Sequence, residues 1–170
     1  IEGDLAVSIE KSANGFTIKT QDGKTLETKY ILLASGSRRK KLNIPGEKEW
    51  EGKGVAYCSI CDAPIFKGKD VAVIGGGNAG LEAVIDLLPY ASKIYLLEYA
   101  DVVKGDPVTQ EKIKANPKVQ IITMAQTLEV LGGKALTGLK YLDRSTNTTK
   151  ELPVGGVFVE PGVTVIDDVD

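Results

Sequence analysis

Val71-Ala72-Val73-Ile74-Gly75-Gly76-Gly77-Asn78-Ala79-Gly80-Leu81 is the stretch on which the fold turns. Its first four residues form a short continuous apolar run, as in a strand buried on both faces. Residues 75–80 fit G-x-G-x-x-G. Leu81, Val84, Ile85 and Leu88 then fall at i, i+3, i+4 and i+7, one stripe of a helix that stops before Pro89. Alone the glycine pattern is weak, because glycines cluster in many loops. Between an apolar strand and an amphipathic helix it has a specific physical reading. Gly75 permits a tight turn, Gly77 lets the backbone approach a pyrophosphate, and Gly80 lets helix pack closely on strand. Gly76, Asn78 and Ala79 complete the loop on which such a ligand would lie, at a helix end whose free N–H groups and dipole suit phosphate. The alternative is a turn whose glycines serve packing only.

Outward from this loop the pattern continues. Ile94 to Leu97 reads as the next strand. Asp106-Pro107 reads as an N-cap followed by Pro at the first helical position, opening a helix that closes near Asn116-Pro117. Val119 to Thr123 is a third strand, so residues 70–123 read β-α-β-α-β, a parallel, doubly wound unit. Residues 127–160 return to short alternating strands with a turn at Arg144-Ser145-Thr146-Asn147. Upstream, Leu5 to Ile9, Phe16 to Thr20 and Thr25 to Leu33 read as a three-stranded meander. Its turns fall at residues 13–15 and 21–23, and its last strand ends in the apolar run Tyr30-Ile31-Leu32-Leu33. The basic stretch Arg38 to Lys41 reads as a solvated loop, and Pro45-Gly46-Glu47 as a boundary.

Glu98 ends the second strand of the β-α-β-α-β run, 18 residues after Gly80. A carboxylate there can accept hydrogen bonds from the hydroxyls of an adenosine ribose and would repel a 2′-phosphate. No arginine follows in residues 99–104, which favours NAD(H) over NADP(H), although Lys104 remains available to a phosphate. The alternative is a solvated strand end. Cys58-Ser59-Ile60-Cys61 is C-x-x-C, followed by Asp62. The favoured reading is a redox disulfide in which one thiol can be held as a thiolate, with Asp62 as a carboxyl that carries a proton to or from it. Half of an intersubunit zinc site, a pair of buried structural thiols and a turn-capping role for Asp62 are the competing readings.

Composition narrows the chemistry. Among 170 residues there are two cysteines and no histidine, which excludes His-based triads and any His-ligated metal. Two cysteines cannot fill a four-coordinate zinc site within one chain, so no metal site is expected. A formal net charge of -2 argues against nucleic-acid binding through a basic face. No apolar run approaches the roughly 18 residues of a membrane span, and there is no signal-like N-terminus. The expected setting is therefore cytoplasmic. The start at Ile1 reads as a hint that the chain is a piece of something longer.

Together these motifs resemble the low-molecular-weight thioredoxin reductase family of pyridine nucleotide-disulfide oxidoreductases. The likeness runs from about residue 5 to 160. It is most specific from Gly54 through Cys58-Ser59-Ile60-Cys61-Asp62 and Phe66-Lys67-Gly68-Lys69 into the glycine loop. Leu96-Leu97-Glu98-Tyr99-Ala100 is similar to the NADH-using alkyl hydroperoxide reductase branch. The resemblance implies an α/β fold: a Rossmann-like nicotinamide domain, with a parallel sheet, helices and a small β-meander, and part of a second, FAD-binding domain. Residues 1–48 would belong to the FAD domain, 51–157 to the nicotinamide domain, and 158–170 would return toward the FAD domain. Ala34-Ser35-Gly36 would match a motif beside the flavin, and Val7 a position near the adenine. By the same analogy Cys61 is the flavin-proximal sulfur and Cys58 attacks the partner's disulfide. Hinges for domain rotation would fall near Pro45-Gly46 and Gly155-Gly156.

The implied cofactors are FAD and NADH, with NADPH possible. The implied partners are a thioredoxin-like protein or domain or a peroxiredoxin system, within a homodimer. An NADPH-dependent thioredoxin reductase, a redox-sensing module without turnover and a disulfide-forming oxidase are the other readings. Two departures stand out. The family's FAD-gripping glycine motif and its later Gly-Asp motif are missing, and Val163 to Asp170 does not follow the usual continuation after the last strand. These 170 residues alone are expected not to retain FAD.

Overall fold

The computed structural model describes residues 2–165. Its strands in chain order begin with β1 (Ala6–Ser12), β2 (Gly15–Thr20), β3 (Thr25–Thr28), β4 (Ser37–Arg39), β5 (Val55–Ala56), β6 (Asp70–Ile74), β7 (Lys93–Leu97) and β8 (Val119–Ile122). They continue with β9 (Ala125–Gly132), β10 (Leu136–Asp143), β11 (Thr148–Pro153), β12 (Gly156–Val159) and β13 (Val163–Val165). The helices are α1 (Ser59–Asp62), α2 (Asn78–Leu87) and α3 (Pro107–Lys114), with a 3₁₀ turn at Ala63–Phe66. The chain divides into two compact units, residues 39–162 and residues 1–38 with 163–170; residue 1 and residues 166–170, the end of the expected return segment, lie outside the described residues.

In the larger unit a five-stranded sheet runs β5-β12-β6-β7-β8, with every pair parallel. Buried on both faces, its strands need apolar side chains in both phases of the pleat, which is why 71–74 reads as a continuous run. Val71, Val73, Ile94, Leu96 and Phe158 pack with Leu81, Val84 and Leu87 of α2 and Ile113 of α3. Ala72, Ile74, Leu97, Val157 and Val159 point the other way and pack with Val130, Leu139 and Tyr141. The second layer there is the antiparallel sheet β11-β10-β9. This corrects the doubly wound expectation: helices cover one face only, and a meander covers the other. Phe66 meets Phe158 edge to face, ring centroids 4.9 Å apart. Gly156 lies under Phe66, where a Cβ would enter the ring.

The helix signals hold. Leu81 and Val84 are fully buried, Ile85 and Leu88 partly so, and α2 ends with Leu88 as its cap just before Pro89. Asp106 caps α3, its carboxylate accepting from the Thr109 N–H at 2.8 Å, with Pro107 at the first position. The expected hinge segments lie inside the larger unit rather than at its boundaries. The Val130 N–H donates to the Pro45 carbonyl at 3.0 Å, and a side chain on Gly46 would strike Val130. The Gly155 N–H donates to the Asp70 carbonyl at 2.8 Å, while Gly156 pairs with Val71 inside the sheet. Both sites are bonded within the larger unit, whose boundaries fall at 38/39 and 162/163.

In the smaller unit β1-β2-β3 form the expected meander. The third strand stops at Thr28, however, and the apolar run beyond it is irregular, with Tyr30 87% and Leu32 91% exposed. An apolar run becomes a buried strand only beside a neighbour with which to pair and pack. The basic stretch is also not simply solvated loop. Residues 37–39 form β4, which pairs with β13, and Lys41 bonds Glu51 at 2.7 Å.

Candidate functional site

A cleft of about 550 Å³ opens where β6 ends and α2 begins. It is floored by residues 75–79 and bordered by Glu98, Tyr99 and Glu160. Gly75 has φ +112°, a left-handed conformation in which a side chain is strained, and a Cβ there would strike the Glu160 backbone. A Cβ on Gly80 would strike the Gly75 carbonyl, so Gly80 holds the helix tight against the loop. Gly77 faces open space, leaving its backbone approachable, and it is the residue that caps α2, without a side chain to satisfy the first N–H groups. These are the features a phosphate-binding turn requires, so the loop fits a dinucleotide.

Neighbouring segments hold the loop. The Lys104 and Gly105 N–H groups donate to the Gly76 carbonyl at 3.1 and 3.0 Å, and the Asp106 N–H donates to Asn78 Oδ1 at 2.7 Å. Glu98 accepts from the Gly76 N–H at 2.5 Å on one oxygen and from the Ala100 N–H at 2.8 Å on the other. Its carboxylate is thereby aimed, with lone pairs left for a ligand's hydroxyls. Lys104 is exposed. Sequence reasoning missed two charged residues here. Arg144, from the β10–β11 turn, stacks its guanidinium 4.0 Å from the centroid of the Tyr99 ring and donates to the Tyr99 carbonyl at 2.9 Å. Glu160 lies beside the glycine loop with its side chain 12% exposed and Arg39 at 3.6 Å. Burial pushes the Glu160 carboxyl above the usual range; Arg39 opposes that and the like charge of Asp86 adds to it. An acidic residue straight after an apolar strand was the available signal for Glu160.

Cys58 and Cys61 are joined in a disulfide with their Cα atoms 5.4 Å apart, so neither is a metal ligand or a free thiol. Cys58 is the N-cap of α1, and its sulfur accepts from the Cys61 N–H at 3.3 Å. Cys58 is half-buried; Cys61 is exposed, as is Ile60 between them, at 82%. Asp62 makes no side-chain capping bond to the 3₁₀ turn that follows. It lines a smaller cleft of about 220 Å³ with Gly52, Ile65 and Lys69. Ser59 Oγ donates to Asp86 Oδ2 at 2.7 Å, tying the cysteine turn to α2, the helix that starts at the glycine loop. Before the cysteines, the Tyr57 hydroxyl donates to Glu47 at 2.9 Å; burial and that carboxylate push the phenol well above its ordinary value. Glu47 is itself buried and accepts from the Leu42 and Asn43 N–H groups at 3.0 and 2.6 Å.

The structure thus gathers residues 75–80 and Glu98 at one cleft, and Cys58, Cys61 and Asp62 on one turn; the cysteines do not line the glycine cleft. Val7, on β1, and Ala34, Ser35 and Gly36 belong to the smaller unit and are exposed. Among the described residues no three His, Cys, Asp or Glu side chains gather as a metal set, and no helix is long and apolar enough to cross a membrane.

One compact unit thus carries a parallel sheet with a glycine-rich turn at its C-terminal edge and, on a separate turn, a Cys-x-x-Cys disulfide. The chain belongs to the pyridine nucleotide-disulphide oxidoreductase family, whose description matches residues 1–169. It is 47% identical over 147 residues to the F component of alkyl hydroperoxide reductase from Pseudomonas putida, covering 86% of this chain and 28% of that protein. It is 43% identical over 148 residues to an NADH dehydrogenase of Bacillus subtilis, covering 87% and 29%. Among solved structures, T. acidophilum thioredoxin reductase matches with TM-score 0.77 and 37% identity, over 99% of this chain and 55% of that one. Thioredoxin reductase from Giardia duodenalis matches with TM-score 0.82 and 25% identity, over 98% and 54%. The chain therefore spans under a third of these curated relatives and about half of these structures.

Proposed function

We propose that this chain is the dinucleotide-binding and disulfide-bearing part of an NADH-dependent flavoprotein disulfide reductase. The net reaction is NADH, a proton and a protein disulfide giving NAD⁺ and two thiols. The observation that carries this reading is the presence, in one compact unit, of a glycine cradle with an aimed carboxylate and of an accessible Cys58–Cys61 disulfide. Residues 75–80 would hold the pyrophosphate and Glu98 the adenosine ribose. Once the pair is reduced, Cys58 would attack a partner's disulfide and Cys61 would resolve the mixed disulfide. Asp62 would move the proton that a departing thiolate needs.

The flavin that serves this class of enzyme links hydride chemistry to dithiol exchange, and Ala34, Ser35, Gly36 and Val7 are the residues assigned to its neighbourhood. The acceptor would be a thioredoxin-like domain or protein or a peroxiredoxin system, the assembly a homodimer, and the setting cytoplasmic. Residues 39–162, wider than the expected 51–157, are assigned to the nicotinamide domain, residues 1–38 rather than 1–48 to the FAD domain, and the return is taken to begin at 163 rather than 158. The name of the alkyl hydroperoxide reductase relative supports the peroxide-linked acceptor, and that of the NADH dehydrogenase relative supports NADH.

NADPH is the second reading, favoured by one observation: Arg144 places a cation beside Tyr99, next to Glu98. Its guanidinium is engaged by the Tyr99 ring and carbonyl, and this, with the carboxylate of Glu98, supports NADH as the first reading. Steady-state kinetics of the full-length protein with both nucleotides test this. A kcat/KM for NADH at least tenfold above that for NADPH is expected, and the reverse preference would overturn the assignment. Disulfide reductase activity is expected to vanish in Cys58→Ser; survival of that activity would sink the enzyme reading.

A further inference from the structure

Two carboxylates, not one, stand level with the glycine loop. In the parallel sheet Ile74 of β6 is registered against Leu97 of β7 on one side and Val159 of β12 on the other. The next residue along each strand is Gly75, Glu98 and Glu160 respectively. Backbone bonds hold that level: the Gly75 N–H donates to the Leu97 carbonyl at 2.9 Å, and the Glu160 N–H donates to the Ile74 carbonyl at 2.8 Å. All three continue the pleat phase of Val73, Leu96 and Phe158, which face the helical layer that contains α2. Both carboxylates border the one cleft.

The order of strands gives the two positions complementary meanings. From β6 the chain winds through β7 to β8 on one side, while β12 and β5 lie on the other, so the loop leaves the sheet at its switch point. A dinucleotide bound there rests its pyrophosphate on the glycine turn and sends one nucleoside to each side. With the adenosine over β7 and Glu98, the second nucleoside must lie over β12, where the polar side chain at the strand end is Glu160. Arg39 approaches Glu160 to 3.6 Å, an ion pair beyond good hydrogen-bond length. The Glu160 oxygens therefore keep acceptor capacity for a ligand.

We propose that Glu160 accepts hydrogen bonds from the nicotinamide-side nucleoside, through its ribose hydroxyls or its carboxamide, and so positions the half of the dinucleotide that reacts. This rests on the reading that the cleft holds a pyridine dinucleotide.

Calorimetric titration of the full-length protein with NAD⁺, ADP-ribose and ADP tests it, because ADP lacks the second nucleoside and NAD⁺ avoids turnover. Glu160→Ala is expected to weaken NAD⁺ about tenfold and leave ADP within about twofold, the size expected for a hydrogen bond to a charged group. Glu98→Ala is expected to weaken both. Glu160→Gln, which keeps an acceptor oxygen, is expected to recover most of the NAD⁺ affinity, and it guards against a folding defect in the alanine variant. A loss shared by ADP-ribose assigns the bond to the ribose hydroxyls, and a loss confined to NAD⁺ assigns it to the carboxamide; both support the proposal. Unchanged NAD⁺ affinity in Glu160→Ala, or an equal loss for ADP and NAD⁺, overturns it. A wild-type protein that binds neither NAD⁺ nor ADP overturns the dinucleotide reading itself, and this proposal with it.

Discussion

Val71 to Ile74 and Tyr30 to Leu33 are both four-residue apolar runs in a chain of short strands, yet their fates differ. The first is at most 7% exposed along its whole length; in the second Tyr30 and Leu32 are 87% and 91% exposed. Composition does not separate them. What does is a neighbour on each side and a layer on each face: β12 and β7 flank β6, helices cover one face of it, and the meander covers the other. Burial is a property of the partner as much as of the run. The β6 region can therefore support a site that needs backbone held to a fraction of an ångström, such as the glycine cradle.

Substitutions should reproduce that contrast. Phe158→Ala removes a fully buried ring at the centre of the sheet and from its edge-to-face pair, and it is expected to destabilise the protein by about 3–5 kcal/mol in denaturant titration. A loss below about 1 kcal/mol would show that the helix-side core is not the main support of the larger unit.

Glu47→Gln comes next. It turns one acceptor of a buried carboxylate into a donor facing an N–H or the Tyr57 hydroxyl, at an expected cost of about 1–3 kcal/mol. Tyr57→Phe should cost most below pH 10 and progressively less above it. The Tyr57 phenol is held above its ordinary value of 10.0, so the folded state keeps its proton where the unfolded state releases it. Its contribution to stability is present below pH 10.0 and is lost as pH rises further, so the wild type should lose stability above that pH relative to Tyr57→Phe. Parallel pH–stability curves for the two proteins would refute this. The smallest effect is expected for Leu32→Ser in this 170-residue chain, within about 0.5 kcal/mol, because that side chain is exposed within it. A larger loss in that chain would mean that Leu32 is buried there.

Local physics accounts for what the sequence made legible. The β6-α2-β7-α3-β8 order follows from apolar period, an Asp106-Pro107 start and a Pro89 stop, each written within a few residues. The Cys58–Cys61 pair and the glycine turn are likewise short-range patterns. What stayed hidden depends on pairing across long separations. Gly156 of β12 meets Val71 of β6 from the far side of an entire meander, and Arg144 reaches Tyr99 across 45 positions. Glu160 carries the same local signature as Glu98, an acid after an apolar strand, but it acquires meaning only once the register sets it level with Gly75. The expected hinge segments fall inside the larger unit for a related reason. Glycine at 46 and 156 marks close approach, to Val130 and Phe66, rather than freedom.

In the full-length protein, reducing power from NADH is expected to arrive at the Cys58–Cys61 pair at the start of α1. Anaerobic addition of NADH to the full-length protein, followed by thiol alkylation and mass spectrometry of the peptide bearing Cys58 and Cys61, tests it most directly. Both cysteines should take the label after NADH and neither without it. An unlabelled, still-oxidised pair after NADH has been consumed would contradict the account.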